Sequence, residues 1–318
     1  MIKEKVTRLA LHILLAILCF FTIAIAGVVW LNKDPFELSN IVFGFPYALS
    51  VFAILTAHEF GHYFAARYHG VDTTLPFYIP IPPFIYTPWG SILLNPFGTM
   101  GAIIRLREPL SKRKVLFDVG IAGPLAGLVV TIIVLFIGFI TLPDKSYLYS
   151  IHPEYITNPQ IPEGGMTFGN SLFFKFMMQS YHGVGFLPPM NEIYHYPYFC
   201  AGWFGLLITG LNLIPIGQLD GGHILYALIG KHQGVVSRIL LGLLIGLGLS
   251  YFIPHTKFYQ ESAMIGWLVW SAILIFVIKP DHPEVIDDTP LDPNRRMLGW
   301  ITLGIFFFIF MPIPISGM

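Results

Sequence analysis

The chain has few charged residues for its length. Only 11% of its 318 residues are Asp, Glu, Lys or Arg, and 55% are hydrophobic, whereas roughly a quarter of the residues in soluble domains are charged. The formal net charge is zero, so nothing in the composition indicates a nucleic-acid partner. The sequence therefore excludes an ordinary soluble globule and predicts an integral, multi-pass protein of the lipid bilayer.

Cysteine is also scarce. Cys19 and Cys200 are the only two cysteines, and each lies in an apolar run. Two isolated cysteines provide neither a disulfide framework nor a thiolate metal site. Any metal chemistry must therefore depend on histidine and carboxylate side chains.

Long apolar runs predict an all-α polytopic fold with about seven transmembrane helices. The first run has 23 residues, more than the ~7–15 apolar residues of a signal peptide, so we expect a retained helix and not a cleaved signal. A short helix is predicted at 220–229, after the fourth span. The predicted spans are 9–31, 42–66, 115–142, 199–216, 235–253, 262–278 and 297–315.

The positions of the basic residues predict the orientation. With a cytoplasmic N-terminus, the inner segments hold fourteen of the eighteen Lys and Arg residues, as the positive-inside rule requires. The short loops and the lack of a recognisable transit peptide lead us to expect a prokaryotic inner membrane.

Two segments between the spans differ from the rest. Segment 71–107 is rich in Pro and Gly and has short apolar pieces, which predicts short strands forming a membrane-associated β-hairpin or re-entrant region. Segment 143–197 is polar and predicts a partly helical cap on the outer surface. The predicted organisation is an N-terminal helix and outer loop (1–41), a core (42–230) and C-terminal helices (231–318).

The second span carries the sequence His-Glu-Phe-Gly-His at 58–62. Residues four apart lie on one face of a helix, so His58 and His62 can hold one metal ion, with Glu59 beside them as a base. Ionisable groups inside a membrane span are costly unless they have partners, so they are functional candidates.

A catalytic zinc ion commonly has three protein ligands and one open position. The break in the fourth span offers Asp220 as the third ligand, and His223, three residues later, is the alternative. Spacing favours Asp220 but leaves His223 open. Asp118 is interpreted as an acid at the membrane interface.

The two motifs together resemble the signature of the site-2 protease family of intramembrane zinc metalloproteases. The second motif reads N-x-x-P-x-x-x-L-D-G-G at 212–222, and Gly-Thr-Met-Gly at 98–101 and the Asp-to-Gly stretch at 118–127 are similar to bacterial and chloroplast-type members. The likeness extends from about residue 51 to residue 226. Segment 143–197 is too short for the PDZ domain that many bacterial members carry.

The resemblance implies a set of roles for named residues. His58, His62 and Asp220 would bind one Zn2+ per chain, Glu59 would be the general base, and Asn212 would hold the substrate backbone or the intermediate. The implied activity is hydrolysis of peptide bonds in or near the transmembrane segments of membrane-protein substrates. The strands of 71–107 would pair with an unwound substrate segment.

Two other classes of function remain as alternatives. A proteolytically silent metal-binding scaffold has no need of Glu59, so the complete motif argues against it. An ion transporter is expected to spread ionisable residues over several spans, whereas here they are concentrated on the second and fourth.

Overall fold

Helices form most of the described chain. The computed structural model describes residues 2–87, 90–93, 95–157, 161, 165–183, 185–256, 258 and 261–317. Parts of the predicted strand region (88, 89 and 94), of the predicted outer cap (158–160, 162–164 and 184) and of the C-terminal helices (257, 259 and 260) lie outside these residues, as do both terminal methionines.

The α-helices within the described residues follow the apolar runs of the sequence. They are α1 (Ile2–Trp30), α2 (Phe45–Tyr68), α3 (Arg113–Ile140), α4 (Lys145–Ile151), α5 (Glu154–Thr157), α6 (Leu172–Ser180), α7 (Pro197–Asn212), α8 (Asp220–Ile229), α9 (Gln233–Leu249), α10 (Ser262–Ile273) and α11 (Pro293–Ile309). A π-helical turn, Leu274–Ile278, follows α10.

Among the residues that the structure describes, six short strands pair as three antiparallel ladders. The strands are β1 (Phe77–Pro80), β2 (Phe84–Thr87), β3 (Gly90–Leu93), β4 (Thr99–Ile103), β5 (Thr167–Phe168) and β6 (Ile315–Ser316). Strand β1 pairs with β4, β2 with β3, and β5 with β6. Segment 71–107 therefore contains short antiparallel strands, and its association with the membrane stays a prediction.

Four described helical segments are long and apolar enough to cross a membrane, and a shorter apolar helical segment covers Ala263–Ile278. The four are Leu9–Trp30, Leu38–Tyr68, Arg113–Ile140 and Asp220–Phe252. The first three lie where spans were predicted, and the fourth joins the predicted short helix to the fifth span through the 3-10 turn Gly230–His232. The protein is a mostly helical membrane protein.

The count of seven spans is not confirmed. The predicted fourth, sixth and seventh spans contain α7, α10 and α11, which have 16, 12 and 17 residues, fewer than the ~20 that a bilayer requires. Helix α7 ends at Asn212 because Pro215 disfavours helical backbone at the residue before it.

The chain divides into two compact units, and each contains part of the predicted core. The first comprises Met1–Arg107, Ala126–Gln160 and Glu192–Gly205. The second comprises Glu108–Leu125, Ile161–Asn191 and Leu206–Met318. The predicted boundaries at 41 and 230 stay predictions.

In the first unit, the β1–β4 pair packs against α1 and α2. The Sγ of Cys19 on α1 donates to Oγ1 of Thr99 on β4 at 3.2 Å. The hydroxyl of Tyr78 on β1 lies 2.7 Å from Oγ1 of Thr56 on α2. The ring of Tyr78 stacks on that of Phe52 with 4.7 Å between the ring centroids. These bonds fix the strands beside the part of α2 that carries the histidine motif.

Two glycines have special backbone conformations at β4, Gly98 just before the strand and Gly101 within it. Gly98 and Gly101 both have positive φ, +80° and +98°, which favours glycine at each. A Cβ on Gly98 would lie 2.4 Å from the carbonyl oxygen of Thr22, whereas a Cβ on Gly101 meets nothing within 4 Å.

We therefore expect Gly98→Ala to destabilise the protein by about 1–3 kcal/mol more than Gly101→Ala, because only Gly98→Ala adds a steric clash to the backbone strain. Thermal unfolding of the two variants in detergent measures the difference. Equal loss of stability would show that strand β4 does not need its close approach to α1.

Candidate functional site

The histidine motif lies on α2, in the first unit. His58, Glu59 and His62 are buried, with 6%, 8% and 8% of their surfaces exposed. The Nε2 atoms of His58 and His62 are 3.1 Å apart. The helical spacing thus brings the two imidazoles together on one face.

This separation fits two ligands of one zinc ion. Imidazole nitrogens bind zinc at about 2.0–2.1 Å, and in a tetrahedral site two such atoms lie roughly 3.3–3.4 Å apart. The two Nε2 atoms, 3.1 Å apart, would move apart by only a few tenths of an ångström to reach this separation. The donor set and its burial therefore suit a metal ion.

The carboxylate of Glu59 is held by a strand end. Its Oε2 accepts a hydrogen bond from the backbone N–H of Ile104 at 2.9 Å, and Ile104 directly follows β4. A buried carboxylate that is hydrogen-bonded to backbone has a fixed orientation. The strand region thus positions the predicted base, a role that no spacing in the sequence reveals.

A glycine of α3 allows close packing against His58. A Cβ on Gly127 would lie 3.2 Å from Cβ and 3.3 Å from Nδ1 of His58. The surface that packs on Gly127 is therefore the first histidine of the motif.

The second unit places Asn212 and Asp220 at either end of the break after α7. Asn212 is the last residue of α7 and Asp220 the first of α8, and both are half-buried. The positive end of a helix dipole favours an ionised carboxylate in the first turn.

The two glycines after Asp220 are required by packing. A Cβ on Gly221 would lie 2.1 Å from the carbonyl oxygen of Leu213, and one on Gly222 would lie 2.3 Å from that of Gly217. The first turn of α8 therefore packs directly on the backbone of the break, and this contact sets the position of Asp220.

His223, the alternative ligand, has a partner of its own. Its Nδ1 lies 2.7 Å from Nε2 of His282.

Asp118 forms a two-pronged ion pair with Arg295, at 2.7 and 2.9 Å, and Arg295 also binds Asp292. Asp118 therefore joins α3 to α11 through this ion pair, and its place at the membrane interface stays a prediction.

A mostly helical membrane chain with a buried histidine pair and an adjacent, oriented glutamate has the residue set of a membrane metalloprotease. The model of peptidase family M50 matches residues 46–247, a range that includes both motifs. The chain belongs to this family, the site-2 proteases.

Named relatives are similar over most of this chain. The probable zinc metalloprotease EGY2, chloroplastic, of Arabidopsis thaliana is 26% identical over 305 residues, 94% of this chain and 48% of the relative. The probable zinc metalloprotease EGY1, chloroplastic, of Oryza sativa subsp. japonica is 32% identical over 272 residues, 85% of this chain and 40% of the relative.

This chain spans less than half the length of these two curated relatives. Their names place them in chloroplasts, which conflicts with the expected prokaryotic inner membrane; the membrane location itself agrees with the apolar helices.

We expect Gly127→Ala to weaken zinc binding and proteolysis at least tenfold with the fold retained, because the added methyl group displaces His58. Gly246→Ala on α9 is the matched control, since a Cβ there meets nothing within 4 Å. Zinc affinity and cleavage rate are measured alongside helical circular dichroism. Unchanged zinc affinity in Gly127→Ala would contradict a tight fit around His58.

Proposed function

We propose that the protein is a zinc endopeptidase that hydrolyses peptide bonds in or near the transmembrane segments of membrane proteins. The observation that carries the proposal is the buried pair His58 and His62, 3.1 Å apart, beside a glutamate fixed by the N–H of Ile104. Membership of peptidase family M50 supports the same activity.

The residues that would hold the zinc ion are His58, His62 and Asp220. Two imidazoles and one carboxylate form a common catalytic zinc set that leaves a fourth position open. A zinc ion bound there supplies a Lewis acid for the scissile carbonyl and lowers the pKa of water at the open position. The glycine pair after Asp220 and the packing of Gly127 on His58 keep these ligands in place.

Glu59 is the general base in this proposal. Its carboxylate takes a proton from the attacking water and later delivers it to the leaving amine. The hydrogen bond from Ile104 leaves the side chain little freedom, which reduces the entropy lost on reaching the reactive geometry. The side-chain amide of Asn212 donates a hydrogen bond to the substrate backbone or to the developing oxyanion.

The substrate in this proposal is a transmembrane helix that unwinds near the cut. A helix satisfies its own backbone hydrogen bonds, so its peptide groups become accessible only after local unwinding. Within the described residues the β1–β4 sheet has two strands, so β4 has an edge to which an extended segment can add by backbone hydrogen bonds. Ile104, next to that strand, is bonded to Glu59, which links substrate pairing to the base.

We expect Glu59→Gln to abolish cleavage of single-span membrane substrates while zinc content is retained, because the amide cannot accept the proton but keeps the shape of the side chain. Glu284→Gln, an exposed glutamate paired with Lys231, is the control and should cleave normally. Reconstituted vesicles containing a panel of single-span proteins provide the assay. Equal cleavage by wild type and Glu59→Gln would overturn the protease proposal.

The choice of the third ligand has its own test. We expect Asp220→Asn to lower zinc affinity at this site at least a hundredfold, since a neutral amide is a much weaker ligand than a carboxylate. His223→Ala should leave that affinity within about threefold, because His223 is engaged with His282. Competition with a chromogenic chelator measures both constants. The reverse pattern would make His223 the ligand.

A further inference from the structure

A second cluster of metal-binding side chains lies in the first unit, outside the histidine motif. It consists of His152, which follows α4, and of Glu192 and His195 just before α7. The Nε2 atoms of the two histidines are 3.0 Å apart. Oε2 of Glu192 lies 3.5 Å from Nε2 of His152 and 3.6 Å from Nε2 of His195.

This triangle has the size of one face of a tetrahedral zinc site. Ligand atoms at about 2.0–2.1 Å from zinc lie roughly 3.3–3.4 Å from one another. From the three distances, a point inside the triangle lies about 2.0 Å from every ligand atom. The atoms therefore need almost no rearrangement to bind an ion.

The outer nitrogens of both histidines are already committed as donors. Nδ1 of His195 lies 2.6 Å from the carbonyl oxygen of Trp30 and must donate its proton to it. Nδ1 of His152 lies 3.0 Å from Oε1 of Glu154. In the neutral rings both Nε2 atoms therefore carry lone pairs, and those lone pairs face each other.

Glu192 adds a third acceptor. Its Oε1 accepts a hydrogen bond from the hydroxyl of Tyr155 at 2.8 Å. Its Oε2 is buried and receives no hydrogen bond from the described residues. Only 3% of the surface of Glu192 is exposed, and a buried oxygen of this kind requires a cation or a donor.

We propose that His152, Glu192 and His195 form a second metal site, which takes a divalent cation of intermediate softness, best Zn2+. Two imidazoles and one carboxylate match the preference of zinc. Trp30, Tyr155 and Glu154 orient the three ligands, as outer-shell acceptors and donors do in zinc proteins. The proposal does not depend on the proteolytic function.

A proton shared between the two histidines is the alternative to a metal ion, and it explains fewer of the observed distances. Protonating Nε2 of His152 gives one hydrogen bond to His195 across the 3.0 Å separation. It leaves Oε2 of Glu192 at 3.5 Å, too long for a hydrogen bond. A metal ion satisfies all three acceptors at once.

The position of the site indicates a structural role. The ion would connect the end of α4 to the turn that begins α7, across 43 sequence positions. A metal that closes such a loop stabilises the folded state by its binding free energy. The side chain of His152 is 20% exposed, which gives an ion a way in.

The test uses the full chain in detergent with both motif histidines replaced, His58→Ala/His62→Ala. Any metal that this background protein binds cannot be held by the α2 motif. We expect this background to bind about one Zn2+ or Co2+ per chain, with Co2+ giving the strong visible absorption of a four-coordinate site. Adding Glu192→Gln or His195→Ala should weaken binding at least tenfold. Tyr155→Phe should weaken it about tenfold through the loss of the bond that orients Glu192.

Two controls distinguish loss of the metal site from loss of the fold. His182→Ala, at an exposed histidine, should leave Co2+ binding unchanged. Glu192→Gln preserves side-chain shape, so circular dichroism should show a folded protein even if His195→Ala unfolds. A background protein that binds no metal, or whose binding survives Glu192→Gln, overturns the proposal and leaves the proteolytic function unaffected.

Discussion

The cost of burying ionisable side chains in an apolar chain governs this structure. A charged or polar group removed from water is stabilised only when it has a partner. His58 and His62 face each other at 3.1 Å, and Glu59 accepts from a backbone N–H. These side chains are therefore fixed by the requirement for partners, and a catalytic group fixed in this way is preorganised for its reaction.

The short strands contribute to that preorganisation out of proportion to their length. Strand β4 is joined to α1 through Thr99 and Cys19, and the residue after it supplies the N–H that binds Glu59. The close approach at Gly98 leaves no room for a side chain. A strand that is bonded at both of its ends can thus fix the orientation of a carboxylate on a neighbouring helix.

The sequence predicted the parts of this site that depend on local spacing. Residues four apart in a helix must share a face, so the proximity of His58 and His62 followed directly. The first three spans were also predicted closely, because apolar runs of that length have one solution in a membrane. The count of seven was not confirmed, since Pro215 and Pro312 lie just after the ends of α7 and α11, and α10 changes to a π-helical turn at Leu274.

Contacts between distant segments could not be predicted in the same way. Ile104 bonds to Glu59 through its backbone N–H, which any residue except proline provides, so the side chain gives no signal. The cluster at His152 joins residues 43 positions apart in a segment that reads as a polar cap. Both sets follow one chemical rule: a buried acceptor requires either a hydrogen-bond donor or a cation. That rule, and no sequence motif, identifies His152, Glu192 and His195, because Oε2 of Glu192 is buried and receives no hydrogen bond from the part of the chain that the structure describes.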